Sequence, residues 1–177
     1  MQAEERLVRG AQTGDERALT ELYEAYFDRI YRYVVVRIGN PSDAEDITED
    51  VFLKVLHSIG SFIWRGAPFS AWLFRIAHNL VVDYFRKASK RVTTPIDDVV
   101  IEGGADPEEA LSIKLKLEQL NAYMTQLTET QQQVMSLRFA GSLSVAETAK
   151  VMGKTEGAVK ALQHSAVVTL RRRFAEG

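Results

Sequence analysis

From Glu16 to Ile38 the apolar residues Leu19, Leu22, Tyr23, Tyr26, Ile30, Tyr33 and Val34 recur at three- and four-residue steps. That is the repeat of one buried face of an α-helix. Gly39-Asn40-Pro41 ends the run, and Ser42 then opens Ser-Asp-Ala-Glu, the spacing of a capping box. A second helix is therefore predicted from Ser42 to about His57, with Ala44, Ile47, Val51, Val55 and Ile59 turned inward. SIGSFIWRGAP, punctuated by Gly60, Gly66 and Pro68, is a loop. It leads into FSAWLFRIAHNLVVDYFRK, residues 69–87, where Leu73, Ile76, Ala77, Leu80 and Tyr84 are spaced to face a bundle, and Trp72 and Phe74 are expected in the core. No segment alternates with the period of a strand.

The pattern then breaks. VTTPIDDVVIEGGADPEE, from residue 92 to 109, holds two of the chain's four prolines, a Gly-Gly pair and no basic residue, the composition of a tether. Asp106-Pro107 starts the next helix, an acid at the cap and proline in the first turn. Two more capping boxes follow, Thr-Glu-Thr-Gln at 128–131 and Ser-Val-Ala-Glu at 144–147, opening helices that end at Gly141 and Gly153. A last helix runs from about Thr155 to Phe174. The expected fold is all-α: two small helical domains, 1–92 and 110–177, joined by a flexible acidic linker at 93–109.

Charge sharpens this division. Net charge is only −2, but residues 1–60 carry 7 Lys/Arg against 12 Asp/Glu and residues 61–95 carry 6 against 1. Residues 96–133 carry 2 against 8, and residues 134–177 carry 7 against 3. Blocks of alternating sign are what solvated faces produce by chance. They are also what a chain needs to present two basic surfaces to a polyanion and acidic surfaces to something else.

Other chemistries drop out. With no cysteine there is no disulfide, thiolate metal site or cysteine nucleophile. His57, His78 and His164 make no ligand pattern, so no metal and no cofactor is expected. GxxxxGK, GxSxG and HExxH are all lacking, so catalysis is the weakest reading. The N-terminus is charged from its fourth residue and no apolar run nears the ~20 residues of a membrane span. A cytoplasmic protein is the expectation.

SVAETAKVMGKTEGAVKALQHS reads as a short helix, a tight glycine turn and a longer helix, the helix-turn-helix arrangement. Val159, Leu162, Ala166 and Leu170 form the inner stripe of the second helix. Glu156, Lys160, Gln163 and His164, with Lys154 and Thr155 at its start, lie opposite. These residue types suit phosphates and base edges in a major groove. Arg171 and Arg172 follow at the far end, suited to backbone phosphates. A plain helical hairpin with a polar outer face is the alternative.

In the 69–87 helix, Arg75, His78, Asn79, Val82 and Arg86 fall on a face different from the apolar one, and the preceding loop adds Phe62, Trp64 and Arg65. Asn79 offers donors and an acceptor for a base edge. Aromatics beside a positive groove stack unpaired bases, so this surface suits single-stranded DNA better than duplex.

Taken together, DAEDITEDVFLKVL, FSAWLFRIAHNLVVDYFRK and LTETQQQVMSLRFAGSLSVAETAKVMGKTEGAVKALQHS closely resemble the extracytoplasmic-function sigma factors, promoter-specificity subunits of bacterial RNA polymerase. The resemblance runs from about residue 10 to 174. It implies a first domain like sigma region 2, binding the polymerase clamp through Asp46, Glu49, Asp50 and Phe52. The same domain would capture the melted minus-ten strand through Trp64, Arg65, Arg75, His78, Asn79 and Arg86. Asn79 matches the family's base-capturing asparagine, and the loop of Trp64 and Arg65 the one that helps hold a flipped base. It implies a second domain like region 4, reading the minus-thirty-five duplex through Lys154, Thr155, Glu156, Lys160, Gln163, His164, Arg171 and Arg172. An anti-sigma partner is implied as well. One departure stands out: GAVKALQHSAVV has Lys160 and Ser165 where relatives commonly carry arginine.

On this reading the chain has no catalysis of its own, and core polymerase separates two domains whose DNA faces are otherwise hidden. The competing reading is a stand-alone regulator with a sensor or dimerisation domain in its first half. A pocket or dimer seam there would distinguish it.

Overall fold

Asp15 begins the fold's central helix by accepting from the backbone N–H of Arg17 at 3.0 Å and of Ala18 at 3.4 Å. The computed structural model describes residues 2–90 and 106–176. In chain order it gives α1 (Gln2–Gln12), α2 (Glu16–Ile38), α3 (Pro41–Ser58), a short 3-10 turn (Ile59–Ser61) and α4 (Phe69–Lys90). After the gap come α5 (Pro107–Met124), α6 (Glu129–Met135), a π-turn (Ser136–Ala140), α7 (Val145–Met152) and α8 (Glu156–Glu176). No strand occurs among the described residues. The expected linker falls on residues 93–109, of which 93–105 lie outside the described part. Asp106 caps α5 and Pro107 is its first residue, as the Asp-Pro pair predicts.

The start of α3 corrects the sequence reading. Ser42 is not its cap. Asn40, with extended backbone, accepts from the Asp43 N–H at 3.1 Å, and Pro41 takes the first helical position. Proline's fixed φ suits that position, so the Asn-Pro pair wins over the Ser-x-x-Glu spacing two residues on. Helix α1 went unread, because Leu7, Val8 and Ala11 are its few apolar residues among charges. Both later capping boxes are present with reciprocal hydrogen bonds. Gly153 ends α7 at φ 62°, and the following Lys154 N–H reaches back to the Ala149 carbonyl at 3.0 Å, a left-handed turn that favours glycine.

Helices α1 to α4 enclose one core in which Ile30, Tyr33, Val34, Val51, Leu73, Phe74, Ala77 and Val81 are fully buried. Each large apolar side chain so buried contributes about 1.5–3 kcal/mol. This core does not stop at the domain boundary. Leu137, Leu143 and Val151 from the second half belong to the same cluster. Two smaller clusters hold the rest of that half together, Met124–Leu127–Ala166 and Val134–Ala149–Val159. Helix α5, by contrast, leaves Leu111, Ile113 and Leu115 about half exposed.

The two halves therefore pack on each other. The π-turn widens the chain after α6, and Gly141 lands against α4: a β-carbon there would sit 2.6 Å from Phe74 Cε1. Arg29 of α2 caps the same turn, donating Nε to the Gly141 carbonyl at 3.0 Å and Nη2 to the Ser142 carbonyl at 3.3 Å. Its guanidinium lies 5.1 Å from the Tyr26 ring centroid and 5.6 Å from that of Phe74. Arg37 adds a bond to the Gln132 side-chain oxygen at 3.2 Å. No described helix is long and apolar enough to cross a membrane.

Candidate nucleic-acid and polymerase-binding surfaces

Asp46, Glu49 and Asp50 stand three and four residues apart on α3, so they share one exposed face. Phe52 is half-buried, its ring 4.8 Å from Tyr23 and 6.2 Å from Phe27. Beside the acids, Leu53 and Leu56 are 53 % and 52 % exposed. Leu56 and Phe52 edge an apolar cavity between α2 and α3 that Leu19, Leu22, Tyr23 and Val55 also line, with Phe69 of α4. Sequence reasoning turned Tyr23 inward and passed over Leu53 and Leu56. The signal was available, since both leucines fall on the helix face opposite Val51 and Val55.

The basic face of α4 is built around a second cavity of about 370 Å³. Phe62, Ile63 and Arg65 from the loop, and Trp72 and Arg75 from α4, line it. Gln12 of α1 sets the loop by donating its amide to the carbonyls of Ile59 at 3.0 Å and Phe62 at 2.8 Å. Trp64 lies behind this wall rather than in it. Its ring packs 5.1 Å from Phe62 and its indole N–H is buried without a partner. Trp72 stacks among Phe62 and Phe69, while Phe74 is fully buried. Asn79, one helical turn beyond Arg75, is exposed. Arg86 is exposed and pairs with Asp83 at 2.9 Å.

Three other polar groups of α4 are engaged by the second half. Ser70 donates to the Glu147 carboxylate and Arg75 to the Lys150 carbonyl, both on α7. The His78 ring lies 3.3 Å from the Tyr33 hydroxyl and 3.1 Å from the Gln133 side-chain nitrogen. Burial lowers the His78 pKa, and the nearby cations Arg37 and Arg75 lower it further against the opposing pull of Glu129. Burial alone would raise the Glu147 carboxyl, but hydrogen bonds from Ser70 and Ser144 and the charge of Arg29 hold it below the usual range. Tyr33, enclosed between α2 and α4, is pushed up to about 12 by burial.

Lys154 and Thr155 in the turn before α8, and Glu156, Lys160, His164, Arg171 and Arg172 on it, are all exposed. The Thr155 hydroxyl also caps the helix, accepting from the Ala158 N–H at 3.1 Å. Gln163 departs from this set: it is half-buried, and its oxygen accepts from Arg138 Nε at 3.0 Å. Ser165 accepts from the Gln131 side chain at 2.9 Å, a neutral role that arginine could not fill.

Comparison with known proteins finds two matching regions. Residues 22–91 match Sigma-70 region 2, and residues 123–172 match Sigma-70, region 4. The chain is 42 % identical over 168 residues to the ECF RNA polymerase sigma factor BldN of Streptomyces coelicolor, covering 94 % of this chain and 64 % of that protein. It is 31 % identical over 171 residues to the ECF RNA polymerase sigma factor SigD of Mycobacterium tuberculosis, covering 93 % of this chain and 81 % of the relative. The solved structure of CnrH in complex with the cytosolic domain of CnrY shares the fold, with a TM-score of 0.77 at 23 % identity over 98 % of both chains. An all-helical chain with a region 2 bundle and a region 4 helix-turn-helix is a sigma factor in architecture. This chain belongs to the ECF RNA polymerase sigma factors.

Proposed function

We propose that this protein binds core RNA polymerase and directs it to promoters, melting the minus-ten element and reading the minus-thirty-five element, with no catalytic group of its own. The observation that carries the reading is the α4 face. An exposed asparagine stands one turn from an arginine that lines an aromatic-walled cavity, on the helix that falls within region 2. A base swung out of the duplex finds a stacking wall in Phe62 and Trp72, and Asn79 offers it both donors and an acceptor.

The other surfaces take complementary parts. The acid face of Asp46, Glu49 and Asp50, with Phe52, Leu53 and Leu56 beside it, meets a basic, partly apolar surface of the polymerase clamp. The acids steer the approach, and the apolar edge supplies affinity once water is excluded. The start of α8 lies in the major groove, where Lys154 and Lys160 meet phosphates or guanine and His164 reaches a base edge. Arg171 and Arg172 hold the backbone further along. An anti-sigma protein competing for the apolar cavity between α2 and α3 belongs to the same proposal, and so does a cytoplasmic location. Run-off transcription with core polymerase on a randomised promoter library tests it. Start sites that appear only with this chain support the reading, and core that ignores it ends the reading.

A further inference from the structure

We propose that the cavity where α2, α4 and α6 meet binds a guanine base. It measures about 320 Å³, within the roughly 300–1,000 Å³ of small-ligand sites, and Arg37, Val82, Phe85, Glu129 and Gln132 line it. Arg37, near the end of α2, is only 7 % exposed, and its Nε is buried without a hydrogen-bond partner. Its Nη1 donates to the Gln132 side-chain oxygen at 3.2 Å, a neutral acceptor. Among the described residues the ion pairs are Arg9–Glu5 and Arg86–Asp83, so no carboxylate neutralises Arg37. A buried guanidinium in that state is costly until something pairs with it. Glu129 lines the same cavity, is exposed, and is in neither ion pair. Two opposite charges thus face one space without meeting each other.

These residue types fit guanine better than a simple anion. Arg37 has only donors to offer, and an ionised Glu129 only acceptors. An inorganic anion would satisfy the first and be repelled by the second. Guanine complements both: its O6 and N7 accept from an arginine, while N1–H and the 2-amino group donate to a carboxylate. Adenine has an amino group in place of O6 and no proton on N1, so it matches neither charge as well. Val82 and Phe85, three residues apart on one face of α4, are each 42 % exposed. They supply an apolar wall and a ring on which a base stacks. The Arg37 guanidinium carbon lies 5.8 Å from the Phe85 ring centroid, so donor and stacking surface adjoin. Glu129 and Gln132, also three residues apart, form the wall contributed by α6. This cavity shares no residue with the one beside Arg75, and guanine binding here stands apart from the strand capture proposed for α4.

Calorimetric titration of the free, full-length chain with guanosine monophosphate and with adenosine monophosphate tests this. A second arm measures fluorescence anisotropy with labelled single-stranded thymidine oligonucleotides that carry one central guanine or one central adenine. The wild type is expected to bind the guanine member of at least one pair tenfold or more tightly than the adenine member. Glu129→Gln should weaken guanine binding tenfold or more and bring the two bases to within threefold of each other. Phe85→Leu should weaken both bases tenfold or more and leave their ratio unchanged. Both positions are exposed, and circular dichroism checks that helix content is retained. If Phe85→Leu does not fold, Glu129→Gln carries the test. These losses with guanosine monophosphate assign the site to a free nucleotide, and the same losses with the oligonucleotide alone assign it to a base carried on a strand. A guanine preference seated in the cavity beside Arg75 would survive Glu129→Gln, and that result overturns the proposal. Equal binding of guanine and adenine by the wild type, or binding of neither, also overturns it. Transcription by the wild type with core polymerase is measured alongside, so that failure of the guanine site is distinct from failure of the sigma reading.

Discussion

Gln12 holds the carbonyl of Phe62 at 2.8 Å across fifty positions of sequence, and with it the loop that walls the cavity beside Arg75. The same amide reaches the Ile59 carbonyl at 3.0 Å. A helix outside the surface proposed to face DNA thus fixes the geometry of that surface.

Removing this strut has a defined consequence. Gln12→Ala takes the side-chain donor from the partly buried Phe62 carbonyl, while the Ile59 carbonyl keeps the Phe62 N–H, and a stranded carbonyl costs about 1–3 kcal/mol. Denaturant unfolding should show that loss, and promoter open complexes should be less stable while affinity for core polymerase is unchanged. Gln12→Glu should behave like the alanine variant at neutral pH, because a carboxylate cannot donate. A normal open complex in both would remove the loop from base capture.

The acidic face and its leucines act together. Asp46→Ala with Asp50→Ala should weaken core binding, and more so at low salt, where the lost charges are least screened. Leu53→Ser with Leu56→Ser should weaken it at every salt concentration, because apolar contact is not screened. Titration of labelled core polymerase at two ionic strengths separates the two effects. Duplex binding by the free chain should stay as it is in both pairs.

Acid should loosen the contact between the halves. The His78 pKa in the closed form lies below its ordinary 6.5. An opened chain therefore takes up the proton more readily, and closure weakens as pH falls below 6.5 toward the lowered value. The added proton would join Arg37 of α2 and Arg75 of α4, with only Glu129 of α6 to offset them. Glu147, whose carboxyl is held below its ordinary 4.5, acts in the same direction at lower pH, since its stabilisation is lost as it protonates. Dyes on cysteines introduced at Arg17 and Ala161 should report constant separation of the halves above pH 7 and a growing one below 6.5. His78→Phe should abolish the upper part of that response, and an unchanged profile in that variant would assign it elsewhere.

On the proposed reading, Arg171 and Arg172 contact phosphates and not bases. Replacing either by alanine should weaken duplex binding by a similar factor on every sequence. It should also reduce the slope of log affinity against log salt by about 1. Lys160→Ala should instead change sequence preference, which selection from a random duplex pool would reveal.

Helices such as α3 and α8 were legible because each buries an apolar stripe of its own. Val51 and Val55 on α3, and Val159 and Ala166 on α8, all lie inside as their spacing requires. The start of α3 was misread because Asn40-Pro41 and Ser42-x-x-Glu45 are competing caps, and only the backbone shows which one is used. The meeting of the two halves was not legible at all. Leu137, Leu143 and Val151 look like core residues of the second half, and nothing in their spacing tells that they complete the first. Gly141 reads as a helix stop, whereas the fold uses it for its missing side chain against Phe74. Gln163 reads as a groove contact because it lies on the polar side of α8, and its bond to Arg138 is visible only once the π-turn after α6 is in place.

Transcription from a promoter recovered from the random library, with core polymerase and either wild type or Asn79→Ala, tests the central claim most directly. The wild type should give specific transcripts. The variant should bind core equally well, still protect the upstream duplex, and fail to open the downstream strands. Normal transcription by Asn79→Ala from every recovered promoter, or transcripts that do not depend on the chain at all, would contradict the assignment of α4 to strand capture.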